Sequence, residues 1–166
     1  MISPICPHFG VCGGCSFQDI PYEKQLENKQ EQISALMEKN GISATLKPIN
    51  HFKPLYYRNK MEFTFSQDQG RLICGFHSRQ TREVFDLKEC RNFSCDTGMI
   101  LGTVREFCRG KGYCGWDKYG HHGQLRHLIV REAKTANQMM IGIVISGDFD
   151  FDRQGFVKVL TELKYH

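Results

Sequence analysis

The chain has 166 residues, 40% hydrophobic and 24% charged, which suits one folded domain or slightly more and excludes a largely disordered chain. No stretch approaches the roughly 18 apolar residues that a membrane-spanning helix needs. The first residues, MISPICPHFG, lack a basic region followed by a long apolar run. The expectation is a cytoplasmic protein with no signal peptide and no membrane partner. The net charge of +4 says little until its distribution is read.

Residues 6–15 form a cysteine- and glycine-rich loop. Asp19 suits a helix cap and Pro21 a first helical turn. Tyr22, Leu26, Ile33 and Met37 share one helical face and Gly41 is a natural stop, which predicts an amphipathic helix over 22–39. Met61, Phe63 and Phe65 alternate with Glu62, Thr64 and Ser66, the period of a strand. Asp68-Gln69-Gly70 reads as a turn, Leu72 to Phe76 as the returning strand, and Glu83 to Leu87 as a third strand.

Ser94 or Asp96 can start a second helix that runs to Arg109, with Met99, Ile100, Val104 and Phe107 in its apolar stripe. A glycine- and histidine-rich loop follows. Leu125 to Ala133 and Met139 to Ser146 read as two further strands, joined at Lys134–Gln138, and Asp152 caps a last helix. The expected fold class is α+β, a mainly antiparallel sheet with flanking helices. Residues 1–20 are the cysteine-rich loop and 21–166 the domain that follows it.

Eight cysteines is a high count for this length. Where no secretory leader is expected, metal or cluster ligation is the better reading of a clustered subset than disulfides. Cys6, Cys12 and Cys15 fall within ten residues, in CPHFGVCGGC. Gly13 and Gly14 let the backbone turn tightly between two of them. A fourth ligand would come from Cys74, Cys90, Cys95, Cys108 or Cys114. A structural zinc usually takes its thiolates as two short-spaced pairs, whereas a 4Fe-4S cluster accepts three close cysteines and a remote one. Spacing leaves both open. His8 lies beside these thiols and is not needed as a ligand.

Residues 47–91 carry nine Lys/Arg against five Asp/Glu, and residues 105–131 carry six against two. Each block is therefore +4. Folded together they make a phosphate-facing surface; kept apart they are ordinary solvated faces.

The cysteine loop followed by an amphipathic helix resembles the cluster-bearing RNA (uracil-5-)-methyltransferases. Three later segments resemble the same family in order. They are Tyr57 to Phe63 (YRNKMEF), Gly75-Phe76-His77 with Val84 to Cys90 (GFH and VFDLKEC), and Leu125 to Glu132 (LRHLIVRE). Thr81-Arg82 and Arg91-Asn92 depart from the family pattern. The resemblance implies a 4Fe-4S cluster on Cys6, Cys12, Cys15 and Cys90. It also implies that 21–166 is a central RNA-binding domain, with ribosomal RNA ahead of transfer RNA as partner. A monomer is expected.

Arg58 and Lys60 are the first expected RNA contacts, followed by Arg126, His127 and Arg131. Arg126 and Arg131 differ in parity, so a regular strand sends them to opposite faces. Phe63, Phe65 and Phe76 read as core. Trp116, in a glycine-rich loop, reads as a weaker candidate for stacking on a base. In the family the S-adenosylmethionine site, the nucleophilic cysteine and the general base lie in a C-terminal α/β domain, whose motifs are not found in these residues. No catalytic residue is therefore assigned, and S-adenosyl-L-methionine is expected as a cofactor of the parent enzyme only. The alternative reading is a zinc- or iron-sulfur-stabilised RNA-binding adaptor or redox sensor with no methyltransferase history.

Overall fold

The computed structural model describes residues 1–94, 96–147 and 149–163, so Cys95, one of the candidate fourth ligands, lies outside the described residues. Three helices and five strands form among the described residues. They are α1 (Tyr22–Lys39), β1 (Lys60–Asp68), β2 (Arg71–His77), β3 (Val84–Asp86), α2 (Thr97–Gly110), β4 (Leu125–Ala133), β5 (Gln138–Ile145) and α3 (Arg153–Thr161). The strands make one sheet in the order β3-β2-β1-β4-β5, with every pairing antiparallel. The α+β expectation holds in these terms.

The β1–β2 hairpin turns on Gln69 and Gly70, at φ 48° and 79°. Two successive positive φ angles match the right-handed twist of the flanking strands. Register then fixes which face each residue serves. Met61, Phe63 and Phe65 are buried, while Lys60 and Glu62 between them are exposed. On the buried face they meet Leu72 and Cys74 of β2, and Leu128 and Val130 of β4. Helix α2 covers this face with Ile100, Leu101, Val104 and Cys108, and α3 adds Phe156. Phe63 and Phe65 are core as expected; Phe76 is half-buried, its ring 5.0 Å from that of Phe63.

Strand β3 is three residues long and is held from α2. Arg105 donates to Asp86 Oδ1 at 2.5 Å and to the Leu87 carbonyl at 2.7 Å, and Arg109 donates to the Leu72 carbonyl at 2.9 Å. These guanidiniums hold a short edge strand in register and occupy carbonyls of the β2–β3 edge.

One helix start differs from the sequence reading. Pro21 itself is the N-cap of α1 and no side chain caps the helix, so Asp19 does not take that role. Asp152 does cap α3, accepting from the Gly155 N–H at 2.8 Å. Helix α1 forms over the expected residues but buries none of them; Ile33 and Leu36 are exposed. Its periodicity is real, yet its apolar face has no covering element among the described residues.

Gly75, in the middle of β2, has no room for a side chain. A Cβ there would fall on the Phe85 carbonyl oxygen and 2.8 Å from the Leu87 nitrogen. Both obstacles are backbone and cannot swing away. Gly75→Ala is expected to destabilise the fold by roughly 1–3 kcal/mol or more. A lower urea midpoint at unchanged slope is the readout, and an unchanged midpoint would refute the close approach of β3.

Candidate functional site

The cysteine loop has no helix or sheet of its own. It is tied to the β2–β3 hairpin, whose tip is held by His77 Nδ1, 2.7 Å from the Arg82 carbonyl. Cys12 and Ser78 form an antiparallel bridge, and the Arg79 N–H donates to the Val11 carbonyl at 2.9 Å. The Arg79 guanidinium donates to the Cys15 carbonyl and to Ser16 Oγ, both at 2.8 Å. His8 accepts the Lys88 N–H at Nε2, at 3.1 Å, and its ring packs on Phe85. His8 is therefore a structural anchor of the loop.

This anchoring brings Cys6, Cys12, Cys15 and Cys90 to the wall of one cavity of about 300 Å³. Burial pushes the Cys12 and Cys90 thiols above their ordinary range, and the neighbouring thiols push the same way. Cys74 and Cys108, two other candidates, are buried in the core, where burial raises the Cys108 thiol to about 12. Cys114 lies in the loop beyond α2, away from this cavity. The described cysteines form no disulfide.

Several N–H donors point at the sulfurs. Asn92 Nδ2 lies 2.9 Å from Cys15 Sγ, Gln18 Nε2 lies 3.5 Å from the same atom, and the Gly14 N–H lies 3.4 Å from Cys12 Sγ. Asn92 is buried, and its carbonyl accepts the Arg58 N–H at 2.8 Å. Its neighbour Arg91 donates to Tyr56 Oη. The Arg91-Asn92 pair, which departs from the family pattern, is thus part of the cavity wall. Among the described residues no three His, Cys, Asp or Glu side chains stand as the ligand set of one metal ion.

The five expected RNA contacts divide between two places. Arg58 lines the cysteine cavity, its guanidinium 4.0 Å from Met61 Sδ. The other four lie toward the uncovered side of the sheet. Lys60 pairs with Arg131 across β1 and β4, and Thr64 with His127. Lys60 also sits 3.3 Å from Glu62, an exposed pair of small energetic weight. His127 Nδ1 is buried without a hydrogen bond, 4.0 Å from Glu62 Oε1.

Arg126 departs from the parity expected of a regular strand. A register shift between Leu125 and His127 breaks the alternation, and Arg126 and His127 line the same cleft. That cleft has a volume of about 830 Å³. One wall is the hairpin tip with His77 and Arg82; the other is the loop carrying Trp116, Lys118 and Tyr119. The Arg126 guanidinium stands 4.4 Å from the Trp116 ring. Gly115 permits this loop to lie on β1, since a Cβ there would meet the Ser66 backbone at 2.6 Å. Folding therefore brings cations from both basic blocks, Arg82 from one and Lys118 and Arg126 from the other, to one cleft. Asp68, Glu83 and Asp117 lie on its walls as well.

Chemically, the cavity offers four soft sulfur donors and the cleft offers cations beside flat aromatic faces. No family model matches the chain. It is 35% identical, over 98% of its length, to a protein of Clostridium acetobutylicum named as an uncharacterized RNA methyltransferase, of which it covers 37%. It is 36% identical to a protein of the same name from Nitratidesulfovibrio vulgaris, over 83% of this chain and 30% of that protein. The chain thus spans little more than a third of the length of the curated relatives it matches. Its fold matches a crystal structure of Pyrococcus abyssi tRNA (uracil-54, C5)-methyltransferase in complex with S-adenosyl-L-homocysteine. The TM-score is 0.69 at 23% identity, over 93% of this chain and 35% of that one. None of the described helices is long and apolar enough to cross a membrane.

Arg79→Ala removes two of the hydrogen bonds that hold the cysteine loop. Peptides covering 11–16 are expected to exchange amide hydrogen faster, while those of α2 keep their protection. Equal protection of the loop in wild type and variant would show that the backbone bridge and the His8 anchor suffice to hold it.

Proposed function

We propose that this chain is the RNA-binding portion of an S-adenosylmethionine-dependent RNA uracil-C5 methyltransferase. In this reading a 4Fe-4S cluster sits on Cys6, Cys12, Cys15 and Cys90. The observation that carries it is the convergence of those four thiols, three from the first fifteen residues and one from position 90, on one cavity. The donors of Asn92, Gln18 and Gly14 suit anionic sulfur, as cluster ligands require.

The cluster, when bound, would supply cohesion between distant segments, because ligation energy becomes folding energy. The chain's own residues then hold RNA. Lys60, Arg131, Arg126 and His127 line the sheet face and its cleft, with Arg82 and Lys118 at the rim. Cations beside Trp116 and Tyr119 suit phosphates and splayed bases together. Similarity to proteins named RNA methyltransferases supports the parent activity. The cysteine loop is what favours ribosomal over transfer RNA. No residue of this chain is assigned to the methyl transfer itself, and the protein is expected to be cytoplasmic and monomeric.

Anaerobic reconstitution with iron and sulfide is expected to give a brown protein with broad visible absorption, and Cys90→Ala is expected to lose that colour. A colourless wild-type protein holding one zinc would favour an RNA-binding adaptor instead. For RNA, Lys60→Ala is expected to weaken binding of a ribosomal RNA fragment and to reduce the salt dependence by about one charge. Identical affinity at every salt concentration would remove Lys60 from the contact surface. Tighter binding of a transfer RNA transcript would reverse the substrate preference.

A further inference from the structure

A second groove lies beside the cysteine cavity and shares Cys15 and Asn92 with it. Its volume is about 690 Å³, and it runs between the N-terminal segment, the start of α1 and residues 50–57. Three aromatic rings on its walls face solvent: Phe52 is 82% exposed, Tyr57 58% and Phe17 57%. A folded domain rarely leaves three large rings together in water without a use for them. Lys29, His51 and Lys53 line the same groove, and no described Asp or Glu does. The segment is braced. Tyr56 stands in the left-handed region at φ 56°, held by its N–H on the Arg91 carbonyl at 2.9 Å and by Arg91 on its hydroxyl at 3.0 Å. The rings of Tyr22 and His51 meet edge-on at 6.3 Å, which ties the segment to α1.

We infer that this groove takes a single-stranded RNA segment, its unpaired bases stacked on Phe52, Tyr57 and Phe17 and its phosphates on Lys29 and Lys53. Charge decides the occupant. An apolar protein surface would fill the groove but gain nothing from a wall of cations without carboxylates, whereas a polyanion with flat faces uses both. Duplex RNA offers its phosphates but keeps its base faces stacked inside, so exposed rings select unpaired strands. The inference rests on the reading that the chain binds RNA, and adds a contact surface separate from the cleft at Arg126.

The test is fluorescence anisotropy of the full chain with a short labelled oligouridine and with a labelled RNA duplex. Phe52→Ala and Lys53→Ala are each expected to lower oligouridine affinity, about five-fold or more for the ring, and to leave the duplex unchanged for Phe52→Ala. Phe52→Tyr should retain affinity. Both side chains lie at the surface, and circular dichroism checks that the variants fold. Wild-type affinity in both alanine variants overturns the inference. If Arg126→Ala still weakens binding in that case, the RNA reading survives and only the groove is wrong; if wild type binds neither RNA, both fall. Concentration-dependent dimerisation that Phe52→Ala abolishes, with oligouridine affinity unchanged, would make the groove a protein interface and also overturn it.

Discussion

A ten-residue loop with no secondary structure cannot hold three sulfurs in place by itself, because each of its residues has backbone freedom to lose. Here the β2–β3 hairpin supplies the missing order. The Cys12–Ser78 bridge, the Arg79 contacts and the Lys88 N–H on His8 bind the loop along both arms of the hairpin. The hairpin is in turn rigid because Arg105 and Arg109 of α2 pin Asp86 and neighbouring carbonyls. The chain of support thus runs from the buried face of α2, through a three-residue strand, to the thiols. Gly75 belongs to it, since only a residue without Cβ lets β3 approach β2 so closely.

The same hairpin serves the other side. Its tip carries Ser78 and Arg79 toward the cysteine loop and His77, Arg82, Glu83 and Val84 toward the cleft. His77 lines both cavities. A polar cleft on the uncovered sheet face and a sulfur-lined cavity at the strand ends therefore share one wall. The register of β1 against β4 sets the rest of that face, with Lys60 opposite Arg131 and Thr64 opposite His127.

The strands were legible because alternation is a strong signal where one face is buried: Met61, Phe63 and Phe65 point inward and the intervening residues do not. The clustered cysteines stood out by spacing, but the left-handed glycine of their loop is Gly10, at φ 89°, and not Gly13 or Gly14. What sequence did not carry were the local breaks in regularity. The register shift at Leu125/His127 turned Arg126 into the cleft, which no parity argument anticipates. Arg58, two residues before the start of β1, lies at the cysteine cavity rather than with Lys60, which the strand pattern does not foretell. Asn92 reads as an ordinary loop residue until its amide is seen on Cys15 Sγ. The periodicity of α1 gave its boundaries but is silent on what its apolar face meets.

The arrangement also explains why Cys90, among the remote cysteines, joins the first three. Cys74 and Cys108 are committed to the core, facing α2 and the sheet, and cannot turn outward without opening it. Cys90 follows β3 just where the chain crosses back beneath the loop, with Leu87 buried on one side and Asn92 on the other. Two anchors flank it, His8 on the Lys88 N–H and the Arg58 N–H on the Asn92 carbonyl. Position 90 is thus fixed from both directions by the chain's own hydrogen bonds. For the centre proposed above, preorganisation of that kind would lower the ordering cost of binding and would couple its loss to loosening of the hairpin tip that walls the cleft.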